Sequence, residues 1–237
     1  AMRYPNKAAV VFFDAVLTYG ELARQVDSMA AYLQSLGLAK GERVLLLMQN
    51  SPQWVVAHFA ILRANAVVVP VNPMNRAHEL SHYICDAQAA FAVVSADLAG
   101  FLAKADCSLQ PDEQLRHVVV AHIGEVLDAT SDGFAAEVPT AWVPWLSDVI
   151  DPPQWAQAGH HSWAQAIHYE GLPQALTAGP SDLAVLPYTS GTTGLPKGCM
   201  HTHASVMHNP VASSYWGNSP ATVVPPSLLP LSRCRRS

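Results

Sequence analysis

The chain has 237 residues, half of them hydrophobic and only 13% charged. That composition excludes global disorder, which needs few apolar residues and much charge, and it provides ample material for a buried core. Thirteen Lys+Arg against eighteen Asp+Glu leave a net charge of -5, with no basic footprint for nucleic acid. Cys85, Cys107, Cys199 and Cys234 form no C-x-x-C pair. They fit neither a disulfide scaffold nor a zinc ribbon and read as reduced thiols of an intracellular, cytoplasmic protein. The apolar runs, such as 44–48 and 67–71, are of strand length, far short of the ~18–20 residues of a membrane span. The opening residues lack the apolar core of a secretory signal.

In chain order, residues 8–13 form a short apolar run. Thr18-Tyr19-Gly20-Glu21 then has the spacing of a capping box, in which two side chains satisfy two orphan backbone N–H groups. Leu22, Val26, Met29, Leu33 and Leu36 follow at helical steps, and Gly37 is placed to end that helix. Residues 43–48 read as a strand covered on both faces. Ser51-Pro52 reads as the N-cap and first position of a helix carrying Trp54, Val55, His58, Phe59 and Leu62, with Trp54, His58 and Phe59 expected in the core. A strand at 66–71, a helix at 76–86, a strand at 90–95, a helix at 97–105 and a strand at 115–121 complete the pattern. The class expected is α/β, a mostly parallel sheet flanked by helices.

From 123 to 180 the rhythm fails. Pro139, Pro144, Pro152, Pro153 and Pro173 interrupt it, and Trp142, Trp145, Trp155 and Trp163 fall within it. The expectation is a long loop pinned to the body by bulky anchors, with a ligand or partner surface as the sharper alternative.

Chemistry concentrates further on. Residues 182–188 read as a strand and 202–216 as a helix. Between them lie Thr189, Ser190, Gly191, Thr192, Thr193, Gly194, Leu195, Pro196, Lys197 and Gly198. Glycines let backbone approach a ligand without Cβ clashes, and exposed N–H groups form an anion-binding concavity. Four hydroxyls add donors, and Lys197 adds a compact positive charge suited to polyphosphate. The strand–loop–helix order predicts a helix N-terminus aimed at the anion. Pro196 and Gly198 stand where a Walker A motif has Gly and Ser/Thr, so it is not that motif. The plain alternative is a flexible polar loop.

The segment from Tyr188 to Gly198 resembles the AMP-binding signature of the adenylate-forming enzymes, which include acyl-CoA synthetases, peptide-synthetase adenylation domains and luciferases. Leu17-Thr18-Tyr19-Gly20-Glu21-Leu22 is similar to the family's "TYxEL". The stretch from Gly41-Glu42-Arg43-Val44 to Gln49-Asn50-Ser51 resembles "GDRVxxxxxN", and residues 66–73 resemble "GAVxVPxNP". Gly198-Cys199-Met200-His201-Thr202-His203 looks most like the long-chain fatty acyl-CoA ligase branch. The resemblance implies two steps: a carboxylate attacks the α-phosphate of ATP, and coenzyme A then displaces AMP. Thr189, Ser190, Gly191, Thr192, Thr193, Gly194, Lys197 and Gly198 would hold the β- and γ-phosphates, bridged by Mg²⁺. The implied substrate is a carboxylic acid, a fatty acid foremost, with no nucleic acid, no spanning segment and room for peripheral membrane contact.

No catalytic side chain and no metal ligand set is assigned. His160, His161, His201, His203 and His208 lack a known ligand spacing; Cys199 lacks a base; Asp182 reads as a solvated or capping residue. Leu228-Leu229-Pro230-Leu231 looks like the start of the family's "LPLFHV", but Ser232-Arg233-Cys234-Arg235-Arg236-Ser237 departs from it. The expectation is a truncated N-terminal portion of the adenylate-forming fold, inactive alone. It divides into an α/β part (1–122), a Trp/Pro-rich insert (123–180), an AMP-binding segment (181–231) and an aberrant tail (232–237). A non-catalytic nucleotide- or phosphate-binding module is the alternative.

Overall fold

The computed structural model describes residues 3–128, 130–148, 150–151, 153–189 and 195–216. The first apolar run becomes β1 (Ala8–Phe12), which pairs antiparallel with β2 (Ala15–Thr18) in a hairpin separate from the main sheet. Helix α1 (Tyr19–Ser35) starts at the expected capping box: Thr18 Oγ1 accepts from Glu21 N–H, and Glu21 accepts from Thr18 N–H at 2.9 Å. It ends in a Schellman turn. Gly37 has φ +94°, and Leu38 N–H and Gly37 N–H donate to Leu33 and Gln34 carbonyls.

Strand and helix then alternate as the periodicity predicts: β3 (Arg43–Leu47), α2 (Pro52–Arg63), β4 (Val67–Val71), α3 (Ala77–Ala87), β5 (Phe91–Ser95), α4 (Ala96–Asp106) and β6 (His117–Ala121). Ser51 caps α2 through its hydroxyl. β3 is the centre of the molecule. Its alternate residues divide between two cores, Val44 and Leu46 packing toward α1 and α2, Leu45 and Leu47 toward α3 and α4. This two-sided burial explains the unbroken apolar run.

The segment read as a long loop holds regular structure. It contains 3-10 turns at Ile123–Val126 and Thr140–Trp142, α5 (Asp132–Glu137), α6 (Val143–Ser147), β7 (Gly159–Ser162) and α7 (Trp163–Ile167). β7 adds to β6 in parallel. It escaped periodicity because Gly-His-His-Ser has no apolar alternation; backbone ladder bonds and His161 hold it instead. Phe134, Val138 and Leu146 form a small third core with Phe12 of the hairpin. Trp163 is buried, Trp145 donates its indole N–H to Asp97 at 3.1 Å, and Trp142 remains partly exposed.

From α7 the chain returns across α1 and α2 to β8 (Leu183–Val185). Asn65 organises this return. Its Oδ1 accepts from Thr177 N–H (2.7 Å) and Ala178 N–H (2.9 Å), and its Nδ2 donates to the Ala175 carbonyl (3.1 Å). Asn65 has φ 64°, a conformation Asn tolerates better than most residues.

Beyond β8 come β9 (Tyr188–Thr189), β10 (Lys197–Gly198), β11 (His201–Thr202) and α8 (His203–Trp216). Among the described residues the main sheet has the order β11-β8-β4-β3-β5-β6-β7. Only β11 runs antiparallel; the others pair in parallel, as expected. Pro70 sits inside β4 at little cost. Val67 N–H donates toward β3, so Pro70 faces the β8 side, where pairing stops near Val68 and Val185. No helix among the described residues is long and apolar enough to cross a membrane.

Candidate phosphate-binding site

Pro187 breaks the expected 182–188 strand in two. β8 pairs with β4, whereas Tyr188 and Thr189 turn to a new antiparallel partner, β10. Thr189 stands opposite Lys197, and Tyr188 opposite Gly198. Cys199 N–H closes the ladder on the Pro187 carbonyl at 2.8 Å. The loop therefore rises from a two-stranded stem, and the stem follows the carboxyl end of a parallel strand, the edge where open α/β sheets bind ligands.

The stem brings two of the proposed phosphate contacts together. Cross-strand partners hold their Cβ atoms roughly 4.5–5.5 Å apart, so the Thr189 hydroxyl and the Lys197 ammonium serve one locale. Both residues are exposed. Lys197 has no acidic partner among the described residues. Gly198 is held close: a Cβ there would meet Leu186 Cδ1 at 3.0 Å and the Tyr188 ring at 3.4 Å. Ser190, Gly191, Thr192, Thr193 and Gly194 lie outside the described residues.

Helix α3 buttresses this stem, which the sequence did not reveal. Tyr188 donates its hydroxyl to Asp86 at 2.6 Å, and its ring lies 4.4 Å from that of Tyr83. Asn75 bonds the Tyr83 hydroxyl at 2.8 Å. His82 Nε2 lies 2.7 Å from the carbonyl oxygen of Pro196, the residue before Lys197. Burial first, and the Asp86 carboxylate second, hold the Tyr188 phenol far above the ordinary tyrosine value. The apolar spacing of α3 marks its core face but says nothing of which distant segment its polar face meets.

The expected helix N-terminus does not face the stem. β11 carries the chain back along β8, so α8 begins at the opposite end of that strand. Its first amides, His203 N–H and Ala204 N–H, donate to the carbonyls of Asp182 and Pro180. The dipole of α8 is therefore not aimed at the β9–β10 stem.

The other candidates take structural places. Asp182 accepts from Gly179 N–H and pairs with Lys40 at 2.9 Å; the Lys40 contact leads in holding its carboxyl below the usual range. Cys199 is half-buried, its Sγ 3.8 Å from Thr189 Oγ1. His201 lies in β11 and His203 opens α8. His161 bonds His117 at 3.1 Å and the Tyr32 hydroxyl at 2.8 Å, while His160 points the other way. Trp54 and His58 stack half-buried, whereas Phe59, expected in the core, is 49% exposed on the outer side of α2. The stripe of α2 that packs on the sheet is instead Val56, Ala57, Ala60 and Ile61.

Known proteins are similar to this chain in sequence and fold. A long-chain-fatty-acid–CoA ligase of Escherichia coli O6:H1 is 35% identical over 210 residues, which are 87% of this chain and 36% of that protein. The salicyl-AMP ligase / salicyl-S-ArCP synthetase of Mycobacterium tuberculosis is also 35% identical, over 225 residues, 90% of this chain and 34% of its own. The apo structure of Mycobacterium smegmatis MbtA matches with TM-score 0.67 at 30% identity, over 93% of this chain and 35% of that one. The chain thus spans about a third of the length of these relatives. The family model for the AMP-binding enzymes matches residues 1–234, hairpin, sheet and stem included, and this protein belongs to that family.

Proposed function

We propose that this chain forms the part of an ATP-dependent acyl-CoA synthetase that grips the nucleotide's phosphates. Thr189, Ser190, Gly191, Thr192, Thr193, Gly194, Lys197 and Gly198 hold the β- and γ-phosphates of ATP. The observation that carries this reading is the cross-strand placement of Thr189 and Lys197 at the carboxyl end of the sheet. A carboxylate oxygen of the substrate attacks the α-phosphorus, and the bond to pyrophosphate breaks. The thiol of coenzyme A then attacks the acyl carbon, AMP leaves, and the thiol proton passes to solvent. The ammonium of Lys197 opposes the charge that grows on the departing pyrophosphate. The described stem presents hydroxyl, amide and ammonium groups, a donor set that fits phosphate. No free carboxylate stands in it, since Asp86 is engaged by Tyr188. Mg²⁺ would be held through the phosphates that Thr189 and Lys197 bind and would offset their negative charge.

A fatty acid is the favoured substrate, by likeness to the long-chain ligases of Escherichia coli and Bacillus subtilis. An aryl acid is the second reading, because the salicyl-AMP ligase is as similar as the first of these. The reading includes a cytoplasmic enzyme that meets its acid in solution or at a membrane surface. It also keeps the division into an α/β part, an insert and an AMP-binding segment at 122/123 and 180/181.

The test is ATP binding and ATP–pyrophosphate exchange by the 237-residue chain with fatty and aryl acids. Orientation of carboxylate and α-phosphate requires a full constellation of groups, and this chain spans 36% of its relative. We expect weak ATP binding and no acyl-CoA. Binding unaffected by Lys197→Ala would sink the phosphate reading. Binding without exchange in any longer form of the protein would favour the non-catalytic module. Robust exchange lost in Lys197→Ala would show that the adenylation groups are already within these residues.

A further inference from the structure

The proposed phosphate stem and helix α3 meet at four polar or aromatic contacts, and one of them lies next to the lysine. The His82 side chain is half-buried, and its Nε2 is 2.7 Å from the Pro196 carbonyl oxygen. A carbonyl only accepts, so Nε2 carries the proton and donates. The peptide whose carbonyl is held is the one that joins Pro196 to Lys197. One helical position later, Tyr83 packs on Tyr188 with ring centroids 4.4 Å apart, and one turn later Asp86 accepts from Tyr188 at 2.6 Å. His82 and Asp86, four residues apart, share one face of α3. They grip both strands of the stem: Asp86 takes the strand that enters the loop, and His82 takes the strand that leaves it.

The geometry assigns His82 as a positioning residue for Lys197, part of a clamp in which α3 fixes the separation of the two ends of the phosphate loop. The assignment rests on the reading of Thr189 and Lys197 as phosphate contacts. A short two-stranded ladder has little stability of its own, and Lys197 is exposed on it. Without an external tether the ammonium would sample many positions, and each binding event would bear the cost of ordering it. The clamp removes the backbone share of that cost in advance. Tyr83 is itself tied by Asn75 at 2.8 Å, so the platform under Tyr188 is fixed as well.

The experiment compares the 237-residue chain with His82→Leu and His82→Gln. Gln places its amide nitrogen near the imidazole Nε2 position and keeps the donor; Leu does not. Inorganic tripolyphosphate is titrated by calorimetry, melting is recorded in parallel, and exchange of the Cys199 amide is followed. That amide bonds the Pro187 carbonyl at 2.8 Å and reports stem closure directly. Loss of one neutral hydrogen bond should weaken tripolyphosphate binding about fivefold. It should speed Cys199 exchange by a similar factor in His82→Leu, with Gln restoring both. Unchanged affinity and unchanged exchange in His82→Leu would overturn the assignment, as would a Gln variant that behaves like Leu. If the parent chain itself does not bind tripolyphosphate, the phosphate reading fails. Cys199 exchange then decides the clamp alone, faster exchange in His82→Leu upholding it and unaltered exchange overturning it.

Discussion

The phenol of Tyr188 donates a 2.6 Å hydrogen bond to Oδ2 of Asp86, a residue 102 positions earlier in the chain. The bond ties the strand that enters the loop to the last turn of α3. A hydrogen bond to a charged group is worth about 1.5–3 kcal/mol, less here because Asp86 is exposed to solvent. Tyr188→Phe should therefore lower stability by about 1 kcal/mol, as read from denaturant midpoints.

The same pair gives a pH signature. The folded Tyr188 value lies above the unfolded one, mainly through burial and then through Asp86. Its contribution is present in full below the unfolded value of about 10 and is lost as pH rises through the folded value. Alkaline denaturation above about pH 10 should be shallower in Tyr188→Phe. Equal slopes for both proteins would show that the phenol is not coupled to folding.

At the acidic end the pair His117 and His161 takes over. Burial lowers both imidazoles, with help from Arg116 on the first and from His117 and His160 on the second. A lowered histidine favours the neutral form in the fold. The stability it adds is held above about pH 6.5 and lost as pH falls through the folded values. His161→Gln should flatten the decline in melting temperature between about pH 7 and pH 5, and amide exchange in β7 should show the same flattening.

Asn65 makes four hydrogen bonds of 2.7, 2.9, 3.1 and 3.4 Å to the returning segment, from a left-handed conformation. Asn65→Ala removes them and leaves a strained backbone, so about 2–3 kcal/mol should be lost. Asn65→Gly, which relieves the strain but not the lost bonds, should recover about 1 kcal/mol of that. Chemical denaturation of both variants checks the order.

Lys197 contributes little to the fold because it is exposed and has no acidic partner among the described residues. Lys197→Ala should leave melting unchanged and weaken ATP or tripolyphosphate binding by about 10- to 100-fold, the range of one charge-assisted contact. A binding isotherm indistinguishable from the parent's would remove Lys197 from the site.

Much of this protein is written in its local sequence. The Thr18–Glu21 capping box, the Gly37 stop and the Ser51 cap all act within a few residues, and each forms as its spacing dictates. The apolar runs of β3, β4, β5 and β6 are legible because strands buried on both faces need no alternation to be recognised. The proposed phosphate loop is read from composition, since close approach to an anion would restrict residue type. Tertiary structure alone decided what those rules do not reach. β7 is Gly-His-His-Ser and forms only because β6 offers an open ladder and His117 a partner. Phe59 faces outward because the sheet contacts a stripe of α2 that excludes it. The start of α8 lies away from the stem because β11 reverses direction along β8. The contacts of His82 and Asp86 with the stem join segments more than 100 residues apart, and only the packed sheet brings such distant polar groups within hydrogen-bonding reach.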